Sequence, residues 1–197
     1  MVRAERPVNF SYLAQRRWIE VFLVILLMPM FVLIALITCI LIKLDSPGSI
    51  LFSQMRPGKD QHLFKMYKFR SMYYNADASF LTLNSDQRVT RVGRLIRKFR
   101  IDELPQLFNV LKGDMSLIGP RPVPVNFLQQ YENEIPDYYL RHRVRPGITG
   151  LAQVRQGYTN TVAQERQKLK YDLLYINSIS YRTDLSILWS SIKALSK

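Results

Sequence analysis

The sequence predicts an α/β protein: a small mixed domain with a short β-hairpin, seated on an N-terminal membrane helix, with amphipathic helices lying along the interface. Three observations predict it. Residues 21–42 form an uncharged apolar run, residues 50–72 read as strand, tight turn and strand, and apolar residues recur at helical spacing near the C-terminus. The chain divides accordingly into a basic N-terminal segment (1–17), a membrane helix (18–44) and a domain (45–197). At 197 residues and 48% hydrophobic, it has ample material for one core.

The formal net charge is +13, and all of the excess lies outside residues 21–42. Such a surface suits an anionic partner: nucleic acid, an anionic membrane face or a phosphorylated substrate. Composition leaves the three open. The single cysteine, Cys39, rules out an intrachain disulfide and fits a reducing compartment.

The run "VFLVILLMPMFVLIALITCILI" would span roughly 33 Å as a straight helix, close to the hydrocarbon thickness of a bilayer. No small-x-small cleavage site follows it, which argues against a removed leader. A helix apolar all round would lack partners in the core of so small a protein. Arg16 and Arg17 precede the run and Lys43 follows it, so both flanks carry the charge that favours the cytoplasm. Pro29, preceded by Met28, sits near the middle of 18–44 and removes one backbone hydrogen bond. A bent segment that enters and leaves by one face and a kinked span both stay open at this point.

Beyond the run, "SPGS" (46–49) is a turn, and "ILFSQM" (50–55), "RPGKD" (56–60) and "HLFKMYKFRSM" (62–72) are strand, turn and strand. Residues 73–87 read as loop. "TRVGRLIRKF" has helical character despite Gly93, with Arg88, Arg91, Arg94 and Arg97 on a drifting stripe. Asp102 reads as the N-cap of a helix carrying Leu107, Phe108 and Leu111 and stopping at Gly113. "GPRPVP" (119–124) is rigid extended chain, and "RPGITG" (145–150) is another turn. In the tail, Leu185, Leu188, Trp189, Ile192 and Leu195 mark a helix that most simply packs on the core, with a surface-lying membrane helix as the other reading. His62 and His142 are the only histidines, so no zinc cluster is present, and no Walker or dinucleotide glycine pattern appears.

The chemistry concentrates at "RVTRVGRLIRKFRIDELPQLFNVLKGD" (88–114). Six basic residues in thirteen positions run up to an adjacent acidic pair, Asp102 and Glu103. A carboxylate at a helix start, among cations, is held ionised near neutral pH. It can attack phosphorus and form an acyl-phosphate, while a neighbouring carboxylate holds Mg²⁺. On residues 88–114 alone the plainer reading is preferred: a cap, a first-turn acid and a solvated basic face.

The context reverses that preference. "FRIDELPQLFNVLKGDMSLIGPRP", followed by "VRPGITGLAQV" and preceded by "FSQMRPG" and "MYKFRSM", closely resembles the bacterial sugar transferases, the monotopic phosphoglycosyl transferases. The resemblance runs from about Trp18 to Ile192, with several motifs in family order, and implies the small form without a further N-terminal domain. It implies transfer of a sugar-1-phosphate from a UDP-sugar to polyprenol phosphate at the cytoplasmic face of the bacterial inner membrane, with release of UMP and a requirement for Mg²⁺. Asp102 would be the nucleophile, and Glu103 its metal-linked or acid/base partner. Arg97 matches a phosphate-contacting arginine, Lys68 a basic position near the site, and Pro120-Arg121-Pro122 a loop shaping the nucleotide site. Arg145 and Asp172 match further motif positions; turn support and a salt bridge explain them as well as ligand contact does. The family's re-entrant helix breaks at Ser-Pro, and Met28-Pro29 stands at that place. The implied partners are the donor, the acceptor and membrane lipids; self-association is left open.

Three rival readings are weighed. A membrane-tethered nucleic-acid binder gives no role to the acidic pair, so nucleic acid is set aside as a partner. A non-catalytic scaffold is at odds with the intact DELPQ. A transferase moving sugar without its phosphate would release UDP instead of UMP.

Overall fold

The computed structural model describes residues 10–73, 86–156 and 161–195; most of the loop expected over 73–87 and the Leu195 side chain lie outside the described residues. The uncharged run becomes the centre of α1 (Phe10–Asp45), a 36-residue helix that continues through Met28 and Pro29. Only 11% of its most apolar window is buried, which sets it apart from a core helix. Among the described residues it is the one helix long and apolar enough to cross a membrane.

Both ends of α1 rest on the same domain. Near its start, buried Arg16 donates to Asp184 Oδ2 (3.0 Å), the Tyr175 hydroxyl (2.6 Å) and Ser116 Oγ (2.9 Å). Arg17 donates to the carbonyls of Val110 and Leu111, and Val24 packs with Phe64, Met66, Val110 and Met115. Near its end, Ile42 packs with Phe69 and Ile96, and the Asp45 carboxylate accepts from the Val92 amide at 3.0 Å. Arg70 satisfies the chain just beyond α1, donating to the carbonyls of Ser46 (2.6 Å) and Pro47 (2.9 Å). Arg16 and Arg17, expected as charges flanking the run, also dock the start of α1 on the domain.

The hairpin forms as predicted. Strands β1 (Leu51–Pro57) and β2 (Leu63–Phe69) are antiparallel, with Phe52 opposite Lys68 and Arg56 opposite Phe64. Helix α2 (Arg91–Lys98) is capped by Thr90, whose hydroxyl accepts from the Gly93 amide at 2.9 Å. Gly93 is explained by packing: a Cβ there would lie 2.0 Å from the Ser71 carbonyl oxygen.

The cap expected at Asp102 is corrected. Arg100 takes a left-handed conformation (φ 54°), ending the approach from α2, and Ile101–Glu103 forms a 3₁₀ turn. Helix α3 (Gln106–Lys112) begins only after Pro105, without a side-chain cap, and stops at Gly113 (φ 97°) as expected. "RPGITG" is corrected as well. Its centre is strand β4 (Gly147–Thr149), parallel to β3 (Ser116–Ile118), with α4 (Val125–Glu134) and a 3₁₀ segment (Tyr138–Arg143) between them.

Helices α5 (Leu151–Gln156), α6 (Val162–Asn177) and α7 (Tyr181–Leu195) complete the domain. The largest core joins Ile118, Ile135, Tyr138, Leu173, Tyr175 and Ile187. The tail helix packs through Ile187 and Leu188, whereas Leu185, Trp189 and Ile192 are 66%, 62% and 59% exposed. The expectation that this whole stripe meets the core fails, because only one of its edges faces inward.

A buried ion cluster braces the core. Arg141 pairs with Glu165 at 3.0 Å and Asp172 at 2.7 Å, Lys168 pairs with Glu165 at 3.1 Å, and Arg141 also donates to the Arg121 carbonyl at 2.9 Å. Removing one member of such a buried set strands the others. Arg141→Met is expected to cost about 3–5 kcal/mol, read as a lower thermal melting point in detergent.

Candidate active site

Two elements meet at the acidic pair. The 3₁₀ turn after Arg100 presents Asp102 and Glu103 from one side, and both are buried, at 8% and 6% exposed. From the other side β2 brings Lys68, whose Nζ lies 3.2 Å from Glu103 Oε1. The extended Pro120-Arg121-Pro122 segment closes the cluster. Arg121 donates to both oxygens of Glu103 and, at 3.2 Å, to the Ile148 carbonyl. Its own carbonyl is held by Arg141, so the buried ion cluster positions this loop.

The two neighbouring carboxyls are shifted in opposite directions. Burial works against ionisation of Glu103, yet Arg121 and Lys68 hold its carboxyl well below the usual range. Asp102 behaves otherwise. Burial pushes its carboxyl up, Glu103 adds to the push, and the pull of Lys68, Arg97 and Arg121 does not reverse it. Cations do surround Asp102 as expected, but their pull is outweighed by burial, and two of them, Lys68 and Arg121, are paired with Glu103. No hydrogen bond reaches the Asp102 carboxylate among the described residues. One carboxylate is fixed in an ion-paired clamp, while its neighbour is buried and unclamped.

Arg97 sits at the end of α2, where its Nε donates to Ser71 Oγ at 2.8 Å and its charge reaches Asp102. Of the other sequence-selected positions, Pro120 accepts the Gly147 amide (3.0 Å) and Pro122 accepts Arg56 Nη1 (2.9 Å) through their carbonyls. Arg145 and Asp172 are not brought into the cluster. Asp172 is 1% exposed and paired with Arg141, the salt-bridge reading of that position. Arg145 lines a separate cavity at the start of α1.

Arg56 was missed. Its guanidinium has neutral partners, the Pro122 carbonyl and Gln54 Oε1 (2.7 Å), and its Nε is buried without one. Burial and the neighbouring Arg121 both work against its positive charge, as in a site short of an anion. The signal existed in the sequence. In an antiparallel hairpin alternate residues share a face, and the register that places Lys68 opposite Phe52 puts Arg56 on the same face as Lys68.

For a divalent cation, the donor set is the two carboxylates. Among the described residues no group of three or more His, Cys, Asp or Glu could hold a metal ion. Mg²⁺ commonly completes its shell with water and substrate phosphate oxygens, and of the two carboxylates Asp102 is the one with no cation paired to it.

The bacterial sugar transferase family model matches residues 11–197. A UDP-N-acetylgalactosamine–undecaprenyl-phosphate N-acetylgalactosaminephosphotransferase of Aeromonas hydrophila is 47% identical over 182 residues, covering 91% of this chain and 43% of that protein. UDP-glucose:undecaprenyl-phosphate glucose-1-phosphate transferases of Caulobacter vibrioides and Escherichia coli K12 are 43% and 40% identical; the alignments cover 92% and 86% of this chain, and 69% and 37% of theirs. The chain thus spans less than half the length of two of these three relatives. With the match extending from α1 through the acidic turn to the C-terminal helix, this chain belongs to the bacterial sugar transferase family.

Proposed function

We propose that the protein transfers a sugar-1-phosphate from a UDP-sugar to polyprenol phosphate in two phosphoryl transfers. The observation that carries this reading is the asymmetry of the pair: Glu103 clamped by Lys68 and Arg121, Asp102 buried and unclamped. The relatives named above support the donor and acceptor classes. In the first step an Asp102 oxygen attacks the sugar-bearing phosphorus. The bond from that phosphorus to the bridging oxygen breaks, UMP leaves, and an aspartyl-phosphosugar forms. In the second step an oxygen of polyprenol phosphate attacks the same phosphorus, the acyl-phosphate bond breaks, and Asp102 is restored. Lys68, Arg121, Arg97 and Arg56 gather phosphate oxygens and balance charge as it shifts towards the leaving group. Mg²⁺ held by Asp102 and Glu103 would neutralise the diphosphate.

The acceptor is dissolved in a bilayer and the donor in water, so the site belongs at their boundary. A helix whose two ends rest on one domain suits a re-entrant segment bent at Met28-Pro29, because a spanning helix would place its ends on opposite faces. Exposed Leu185, Trp189 and Ile192 on α7 suit an interfacial surface. The reading places the domain on the cytoplasmic face of a bacterial inner membrane.

The test is nucleotide release. Protein in nanodiscs with Mg²⁺, polyprenol phosphate and a panel of UDP-sugars is expected to release UMP with one donor; UDP instead would mean direct sugar transfer. Arg97→Ala is expected to raise the donor KM about tenfold through a lost charge-assisted contact. An unchanged donor dependence would remove Arg97 from the site.

A further inference from the structure

A second cationic site lies at the other end of α3 from the acidic pair. A cavity of about 350 Å³ opens between the start of α1 and the approach to β4, lined in part by Arg16, Arg17, Trp18, Glu20, Lys59 and Arg145. Its charges do not balance locally. Glu20 lies 3.5 Å from Arg16 Nε, accepts from Ser116 Oγ and accepts from the Leu117 amide at 3.1 Å. Arg16 is further tied to Asp184 at 3.0 Å. Lys59 has Asp60 at 3.7 Å. Arg17 and Arg145 have no carboxylate within ion-pairing distance among the described residues: Arg17 meets carbonyls of α3, and no hydrogen bond or ion pair engages the Arg145 side chain.

Two guanidiniums that line one cavity, neither with a carboxylate in ion-pairing distance among the described residues, repel each other. Burial and Arg145 both lower the affinity of Arg17 for its proton, with Glu20 a lesser opposing influence. An oxyanion placed between them would relieve that repulsion and accept from both forks, the geometry for which guanidinium is suited. The location narrows the ligand. Trp18, 76% exposed, lines the same cavity and begins the apolar stretch of α1, a place that suits the headgroup level of a bilayer.

We propose that Arg17 and Arg145 form a phosphate-binding site at the membrane border, distinct from the acidic pair, which takes a phosphate carried by a bilayer lipid or by a soluble molecule. Lys59 adds positive charge at the rim. Because Arg17 joins this site to the end of α3, whose other end follows the acidic turn, occupancy also fixes the anchor against the helix that leads from the catalytic pair.

The test reads binding, and so stands independently of the catalytic proposal. Detergent-purified protein is melted with inorganic phosphate at constant ionic strength, and separately in mixed micelles of dioleoylphosphatidylglycerol or dioleoylphosphatidylcholine. Ligand at a hundredfold excess over Kd is expected to raise Tm by roughly 5–10 °C. Arg145→Gln, which breaks no hydrogen bond among the described residues, is expected to lose the shift, and Lys59→Gln to reduce it; Asp102→Asn is expected to keep it. A shift with phosphatidylglycerol alone assigns the site to a lipid headgroup. A shift with inorganic phosphate alone assigns it to a soluble phosphate. Equal shifts in wild type and Arg145→Gln, or no shift in wild type with any probe, would overturn the proposal.

Discussion

Asp102→Asn is expected to abolish UMP release, by about 10⁴-fold or more, while fold and membrane binding stay intact. The size of the effect follows from the role. A missing nucleophile removes the covalent route itself, and losses of this order accompany removal of an attacking group. The intact fold follows from the geometry. The Asp102 carboxylate accepts no hydrogen bond among the described residues, so the amide leaves no former donor without its partner. Its ionised form is disfavoured where it stands, because burial outweighs the nearby cations. A group whose folded pKa is raised weakens the fold above that pKa, so the neutral amide should leave Tm unchanged or slightly higher near pH 7. The wild-type rate should fall as the medium is acidified through the raised value, above the ordinary aspartate value of about 3.9. Lys68→Met removes a cation that pulls Asp102 down, and should move that acid limb to higher pH. Near wild-type UMP release from Asp102→Asn would sink the covalent mechanism.

How much of this was legible in the sequence depends on whether the signal was local. The apolar run, the hairpin and the Gly113 stop are local patterns, and each has its place in the structure. The cap at Asp102 fails because the left-handed Arg100 and Pro105 split the segment into a 3₁₀ turn and a later helix, a division that an apolar period does not reveal. Gly147 looked like a turn residue because its strand partner, Ser116, is 31 positions away and joins it only through a parallel pairing. At the site, Lys68, Glu103 and Arg121 were singled out, but the division of roles between the carboxylates depends on which one the cations reach. That is a fact of packing. Asp172 shows the converse: a position inside a family motif whose side chain, in the fold, serves the buried Arg141.

Glu103→Gln is expected to reduce both stability and activity, and for reasons that can be separated. The substitution removes the one strongly ionised acid shared by Lys68 and Arg121. Breaking a buried pair in this way costs about 3 kcal/mol, which for a chain of this size lowers Tm by roughly 6–12 °C. The pH dependence carries its own signature. A folded pKa depressed below the unfolded value gives stability that is complete above about pH 4.3 and is lost as pH falls towards the folded value. That part of the acid destabilisation should be absent from Glu103→Gln. The variant should also release UMP at least about 100-fold more slowly, since Arg121 and Lys68 lose the group that aims them. Arg121→Gln alone should destabilise as well, by freeing Glu103 and losing the Ile148 carbonyl contact. In the double variant the two changes are in direct contact, so their costs should not add, and part of the stability should return. Activity should not return with it. Additive melting-point losses would mean that the clamp contributes nothing as a unit, and recovered activity would mean that charge at Glu103 is dispensable to the chemistry.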